Sequence, residues 1–134
     1  MRRSLFALTL IGLTATAALA APVAEAQHKP VATRQCFSSH DWSGWKASPD
    51  SKSIYIRVGV SRIYRLDLSQ ACPALQGVSV HLVTRTHGSP WICHPLDLDL
   101  KVSDGHGFAT PCIVDDIVPL SEAEAKALPK DVRP

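Results

Sequence analysis

The run Ile54–Leu68 (IYIRVGVSRIYRLDL) constrains this chain more than any other stretch, because its apolar residues return at every second position. Ile54, Ile56 and Val58 share one parity, and Tyr64, Leu66 and Leu68 share it as well. Period-two alternation belongs to half-buried strands, not to helices. Directly opposed residues of an antiparallel pair point to the same side. Facing Val58 with Tyr64 and Ile56 with Leu66 predicts a hairpin with an odd-length loop around Ser61. Tyr55, Arg57, Arg65 and Asp67 then face outward. The same alternation predicts a third strand through Val78, Val80 and Leu82. It predicts another through Leu96, Leu98, Leu100 and Val102, which alternate with Asp97, Asp99 and Lys101. A last strand runs from about Pro111 to Val118. Trp42–Ala47 opens the fold, with turns at Ser48–Ser51, Thr86–Pro90 and Ser103–Gly107. A short Trp91–Cys93 stretch follows the second of these. Ser121 and Glu124 form a capping-box pattern, which predicts a short helix from Glu122 to Leu128 stopped by Pro129.

The N-terminus has the anatomy of a secretory signal: Arg2 and Arg3, an apolar stretch from Leu5 to Leu13, then small residues. Cleavage fits after Ala20 or after Ala26, and Pro22 just upstream favours Ala26. A spanning helix needs roughly 20 predominantly apolar residues; this stretch is shorter and diluted by Thr9, Thr14 and Thr16. The organisation expected is therefore a signal at 1–26, a polar lead-in at 27–35, one domain at 36–128 and a disordered tail at 129–134. Without Arg2, Arg3 and Glu25 the chain holds 12 Lys and Arg against 11 Asp and Glu. A nearly neutral domain has little general attraction for nucleic acid or an anionic membrane.

All four cysteines, Cys36, Cys72, Cys93 and Cys112, follow the signal. An even count in a small exported domain implies two disulfides, with three possible connectivities. Cys36–Cys72 with Cys93–Cys112 is the favoured pattern, since each bridge then ties segments adjacent in sequence. That reasoning also bears on the stretch Cys36–Trp45 (CFSSHDWSGW), which holds the residue types of a nucleophilic Cys–His–acid site. A thiol already oxidised supplies no thiolate, and His40 and Asp41, adjacent in sequence, point in different directions. Cys36 is thus expected as a disulfide anchor, Asp41 as a turn residue satisfying backbone N–H groups, and the tryptophans as filling the edge of the core.

Metal binding through His87, His94 and His106, with Cys93 adding sulfur, suits zinc or copper by donor type. No CxxC, HExxH or HxH spacing accompanies them. Neither a GxSxG elbow, a P-loop nor a GxGxxG occurs, and no cofactor is implied.

The layout resembles a family of small secreted or periplasmic proteobacterial proteins known as a domain of unknown function. The features that carry this are Cys36, Asp41 and Trp45, the Ile54–Leu68 pair, Ala71-Cys72-Pro73, Ile92-Cys93, and Pro111-Cys112-Ile113 leading to Ile117-Val118-Pro119-Leu120. His94-Pro95 departs from the Gly- or Asp-containing turn expected there. The resemblance implies export, four structural cysteines and no established enzymology.

The fold class expected is mainly β, bordering on α+β: a small antiparallel barrel-like or rolled sheet with one short C-terminal helix, held by disulfides. The leading functional expectation is a non-enzymatic domain that binds a protein or envelope component, or supports envelope structure. Its contact residues would be Tyr55, Arg57, Arg65 and Trp91. A histidine-based metal-binding protein is the alternative, and an enzyme of unspecified reaction the third.

Overall fold

A computed structural model describes residues 36–134; the expected signal and lead-in lie outside the described residues. Among these residues nine strands and one α-helix follow in order. They are β1 (Phe37–Ser38), β2 (Trp42–Ala47), β3 (Ser53–Val58), β4 (Arg62–Leu68), β5 (His81–Thr86), β6 (Trp91–Ile92), β7 (Leu98–Ser103), β8 (Ala109–Pro111), β9 (Val114–Pro119) and α1 (Glu122–Ala127). The molecule is mainly antiparallel β with a short C-terminal helix and two disulfides, as its alternation predicts.

β3 and β4 form the predicted hairpin. Its loop is odd-length but centred on Val60, so Ile56 faces Tyr64 and Ile54 faces Leu66. The pairing is therefore two residues away from the one expected. Gly59, at φ +63°, turns the chain immediately after Val58, and its N–H donates to the Asp41 carbonyl at 2.7 Å. A two-residue slip keeps side-chain parity, so Ile54, Ile56, Val58 and Leu66 are fully buried all the same.

The sheets are ordered β2-β3-β4-β9, β5-β7-β8 and β1-β6. The single last strand expected from about Pro111 to Val118 is in fact two pieces. β8 pairs with β7 and β9 pairs with β4, so the chain passes from one sheet to the other at Cys112-Ile113. Both residues of this crossing are pinned. The Cys112 N–H donates to the Leu100 carbonyl at 3.0 Å, and the Ile113 carbonyl accepts from Ser69 N–H at 3.0 Å. The result is a rolled sheet joined along one side. Its shared core takes Ile54, Ile56, Val58, Tyr64 and Leu66 from one wall and Leu98, Leu100 and Val102 from the other. Phe37 and Ile92, both fully buried, enter from the β1–β6 ladder. Burying side chains of this size stabilises by roughly 1.5–3 kcal/mol each relative to exposure. Phe37 lies 4.7 Å from Tyr64 between ring centroids.

The disulfide pattern corrects the expected one. Cys36 joins Cys93 and Cys72 joins Cys112; Cys36–Cys72 and Cys93–Cys112 do not form. The expectation assumed that neighbours in sequence are neighbours in space. Instead Phe37 faces Ile92 across the β1–β6 ladder, which brings the residues just beyond them, Cys36 and Cys93, together. Cys72 is drawn to the crossing at Cys112.

Two further expectations fail for one local reason, proline-initiated 3-10 turns. Pro73–Gln76 and Pro95–Asp97 form such turns. The third strand therefore starts only at His81, leaving Val78 exposed, and Leu96 sits on a turn rather than a strand, also exposed.

At the C-terminus the capping box is present: Ser121 Oγ accepts from Glu124 N–H at 3.3 Å, and the Glu124 carboxylate accepts from Ser121 N–H at 2.8 Å. The tail at 129–134, expected to be disordered, packs back on the domain. Val132 is buried. Arg133 Nη2 donates to the carbonyls of Lys126, at 2.8 Å, and Leu128, supplying donors to acceptors that a helix end leaves unpaired. Helix and tail share a pocket with Arg57 and Ile63, which accounts for the burial of Ile63 on the otherwise outward face.

Two outcomes check this fold. Peptide mapping of the oxidised protein should recover the Cys36–Cys93 and Cys72–Cys112 crosslinks, and a Cys72→Ser/Cys112→Ser double variant should lose ~2–4 kcal/mol in denaturant unfolding. In addition, Val132→Asp should speed amide hydrogen exchange through residues 122–127 while leaving exchange in β3 and β4 unchanged.

Candidate functional site

The residues singled out from sequence fall in three separate places. Tyr55, Arg57 and Arg65 lie on the outer face of the four-stranded sheet, as their parity requires. Arg65 is engaged internally, with Nε 2.8 Å from Asp67 Oδ1 and Nη2 2.9 Å from Asp67 Oδ2. This fork keeps the guanidinium protonated beyond its ordinary range. Ser53 Oγ donates to the same carboxylate at 2.9 Å. Arg57 is exposed beside α1. Trp91, 57 % exposed, stands on β6 opposite Ser38.

Among the described residues no group of three or more His, Cys, Asp or Glu side chains is arranged to hold a metal ion, so His87, His94 and His106 are not brought together. Cys93, the sulfur donor considered, is bonded to Cys36. His94 instead belongs to a local cap: Asp97 Oδ2 accepts from Cys93 N–H at 2.9 Å and His94 N–H at 2.8 Å. These two donors hold the Asp97 carboxyl below the usual carboxylate range. Cys36 is itself disulfide-bonded, so the Cys36–His40–Asp41 stretch holds no free thiol. The turn there is capped by Ser38, whose Oγ accepts from His40 N–H at 3.3 Å, rather than by the side chain of Asp41.

What the sequence did not reveal is a groove where the rolled sheet fails to close. Among the described residues β2 pairs only with β3, and β5 only with β7. Their other edges flank a cleft of about 350 Å³ lined by Ser39, Trp42, Ser43, Trp45, His81 and Thr84, with Gly44 and Leu82 completing it. A second, separate cleft of about 300 Å³ shares Trp45 and is lined also by Leu75, Gln76 and Ser79. Volumes of this order are those of small-ligand sites.

The two tryptophans reach the cleft through one backbone irregularity. Trp42 faces Val58 and Trp45 faces Ile56, but the register shifts between Trp42 and Gly44, so Ser43 is the extra residue of a β-bulge. In a regular strand, residues three apart point to opposite faces. The bulge cancels that offset. Trp42 and Trp45 therefore sit on the side of the buried Val58 and Ile56, packed against the core yet only partly covered. Trp42 also meets Phe37 edge-on, with ring centroids 6.5 Å apart. Ser43-Gly44 between two tryptophans was the available signal, since a glycine inside a strand marks a bulge or a close approach. Ser43 Oγ donates to the Gly59 carbonyl at 3.3 Å, tying the bulge to the hairpin loop.

The Asp97 cap has a definite pH signature. A carboxyl whose folded pKa is depressed contributes stability above its unfolded pKa and loses it as pH falls through the lowered value. The protection factors of the Cys93 and His94 amides, each taken relative to the intrinsic exchange rate at that pH, should be high at neutral pH and fall as pH drops through the lowered Asp97 value; in Asp97→Ala they should be low throughout.

No curated protein and no solved structure matches this chain. A family model described as "Family of unknown function (DUF6491)" matches residues 1–134, the whole sequence. With its four cysteines paired and its antiparallel sheet rolled around one core, the chain belongs to the DUF6491 family of unknown function.

Proposed function

We propose that this chain is a non-enzymatic binding module of an exported protein, periplasmic or secreted, and that its ligand lies in the groove between β2 and β5. The observation that carries this reading is the Ser43 bulge, which turns both Trp42 and Trp45 into the open seam. A regular strand would send one of them to the outer face. Aromatic side chains beside a few hydroxyls are a usual lining of a binding site. Each backbone hydrogen bond that β2 and β5 could have made by closing the roll would stabilise it by about 0.5–1.5 kcal/mol. The seam is open in spite of that. Export is supported by the signal-like N-terminus and by the pairing of all four cysteines. No helix among the described residues is long and apolar enough to cross a membrane.

Trp91 supports a second reading, a contact with an envelope protein, because it is exposed beside the Cys36–Cys93 bridge. Tyr55, Arg57 and Arg65 would be the outer-face counterpart of such a contact.

The two surfaces separate by mutation. Thr84→Trp fills the groove from the β5 side without altering β2. Envelope material held by the immobilised wild-type protein should be lost from Thr84→Trp by about tenfold and kept by Trp91→Ala. Retention that survives Thr84→Trp but falls with Trp91→Ala would move the site to Trp91.

A further inference from the structure

We propose that the groove takes an extended segment of a partner protein, which adds to β5 as a new edge strand. Its inward residues are apolar and its outward residues, beside Arg85, are acidic. This rests on the groove being the binding site and goes further in naming the occupant. Strand addition needs a ladder of unpaired N–H and C=O groups, and sheet edges are guarded against it by bulges, prolines or shortness. Among the described residues most free edges carry such a guard. β2 has the Ser43 bulge, and β9 has a register shift that skips Asp115 and ends in Pro119. β8 is three residues long and ends in Pro111, and β1 and β6 have two residues each. β5 has none of these devices. Its six residues stay in unbroken register with β7 and include no proline.

The phase of the β5–β7 ladder determines which backbone groups are free. His87 N–H donates to the Asp97 carbonyl at 3.2 Å, so by alternation Arg85, Val83 and His81 direct their backbone groups to β7. Leu82, Thr84 and Thr86 direct theirs to the open seam. The Cα traces of β2 and β5 stay more than 8 Å apart over most of their length, whereas bonded strands lie about 4.8 Å apart. A strand bonded to Leu82, Thr84 and Thr86 places the residues opposite them on the inner side. Leu82, Thr84, Trp42 and Trp45 line the cleft there, and apolar side chains suit it. The intervening residues face Val83 and Arg85 on the outer side, in the closer, non-hydrogen-bonded pairing. Arg85 is exposed and takes part in none of the ion pairs among the described residues. Asp99, opposite it on β7, pairs with Lys101 at 3.5 Å instead. Across the seam the outer-face residue of β2 is Lys46, opposite Tyr55, which is likewise exposed and in no such pair. Two cations on the outer side of the seam are complementary to a segment with carboxylates at its outward positions.

Titration of the full oxidised chain with blocked heptapeptides that alternate valine with glutamate, lysine or serine tests this, read by calorimetry and by residue-resolved amide exchange. The valine–glutamate peptide should slow exchange of the Leu82, Thr84 and Thr86 amides saturably, and bind about tenfold tighter than the valine–lysine peptide. Arg85→Gln, at an exposed position, should shrink that preference severalfold and leave the affinity for the valine–serine peptide unchanged. N-methylation of the valines removes the N–H groups that bond to β5 and should abolish binding. Equal binding of the two charged peptides, with no effect of Arg85→Gln, overturns the acidic assignment. Undiminished binding of the N-methylated peptide overturns strand addition. Protection of the same three amides in the free chain that grows with protein concentration overturns the partner segment in favour of a second copy. Silence toward every peptide overturns the inference as a whole, and retention of envelope material by wild type against Thr84→Trp then decides the groove separately.

Discussion

The crossing at Cys112-Ile113 is the constraint on which the rest of this molecule depends. A strand that pairs with β7 at one end and β4 at the other welds two sheets along one side. The Cys72–Cys112 bridge and the hydrogen bonds from Cys112 to Leu100 and from Ser69 to Ile113 hold the chain at the point of transfer. With one side joined in this way, the facing inner surfaces enclose a common core. The opposite side then has only two outcomes: closure of β2 onto β5 as a barrel, or an open seam. The structure takes the open seam, and the candidate site is a consequence of that choice.

Within the seam, one inserted residue determines the chemistry. The bulge at Ser43 costs β2 some regularity of pairing with β3, and it aligns two tryptophans that strand geometry would otherwise separate. Both indoles remain anchored, Trp42 against Phe37 and both against the buried cluster. Their exposed faces are thereby pre-positioned, which limits the side-chain entropy lost when a ligand binds. The Ser43–Gly59 hydrogen bond links this geometry to the β3–β4 loop, so the most regular part of the fold supports its least regular strand.

Much of the fold was legible because parity is robust. Ile54, Ile56, Tyr64 and Leu66 alternate, and a two-residue error in their register leaves each of them buried. The capping box at Ser121 was equally legible, being a local pattern with a local cause. Connectivity was not: the pairing of Cys36 with Cys93 depends on the meeting of β1 and β6, two strands of two residues each with too little alternation to announce themselves. Val78 and Leu96 misled for a visible reason, since Pro73 and Pro95 begin turns that break the alternation. The groove stayed hidden because it belongs to neither strand alone. Trp42 and Trp45 read as core-edge residues, which they are. That they also line an opening follows only from where β5 comes to rest.

The open seam is tested most directly by residue-resolved hydrogen exchange on the free oxidised protein. The amides of β2 and β5 that do not pair with β3 and β7 should exchange quickly, while those of β3, β4 and β7 stay protected. Protection of the outward amides on both edges would mean that β2 and β5 are hydrogen-bonded to each other. The molecule would then be a closed barrel, and the groove with its two tryptophans would not exist.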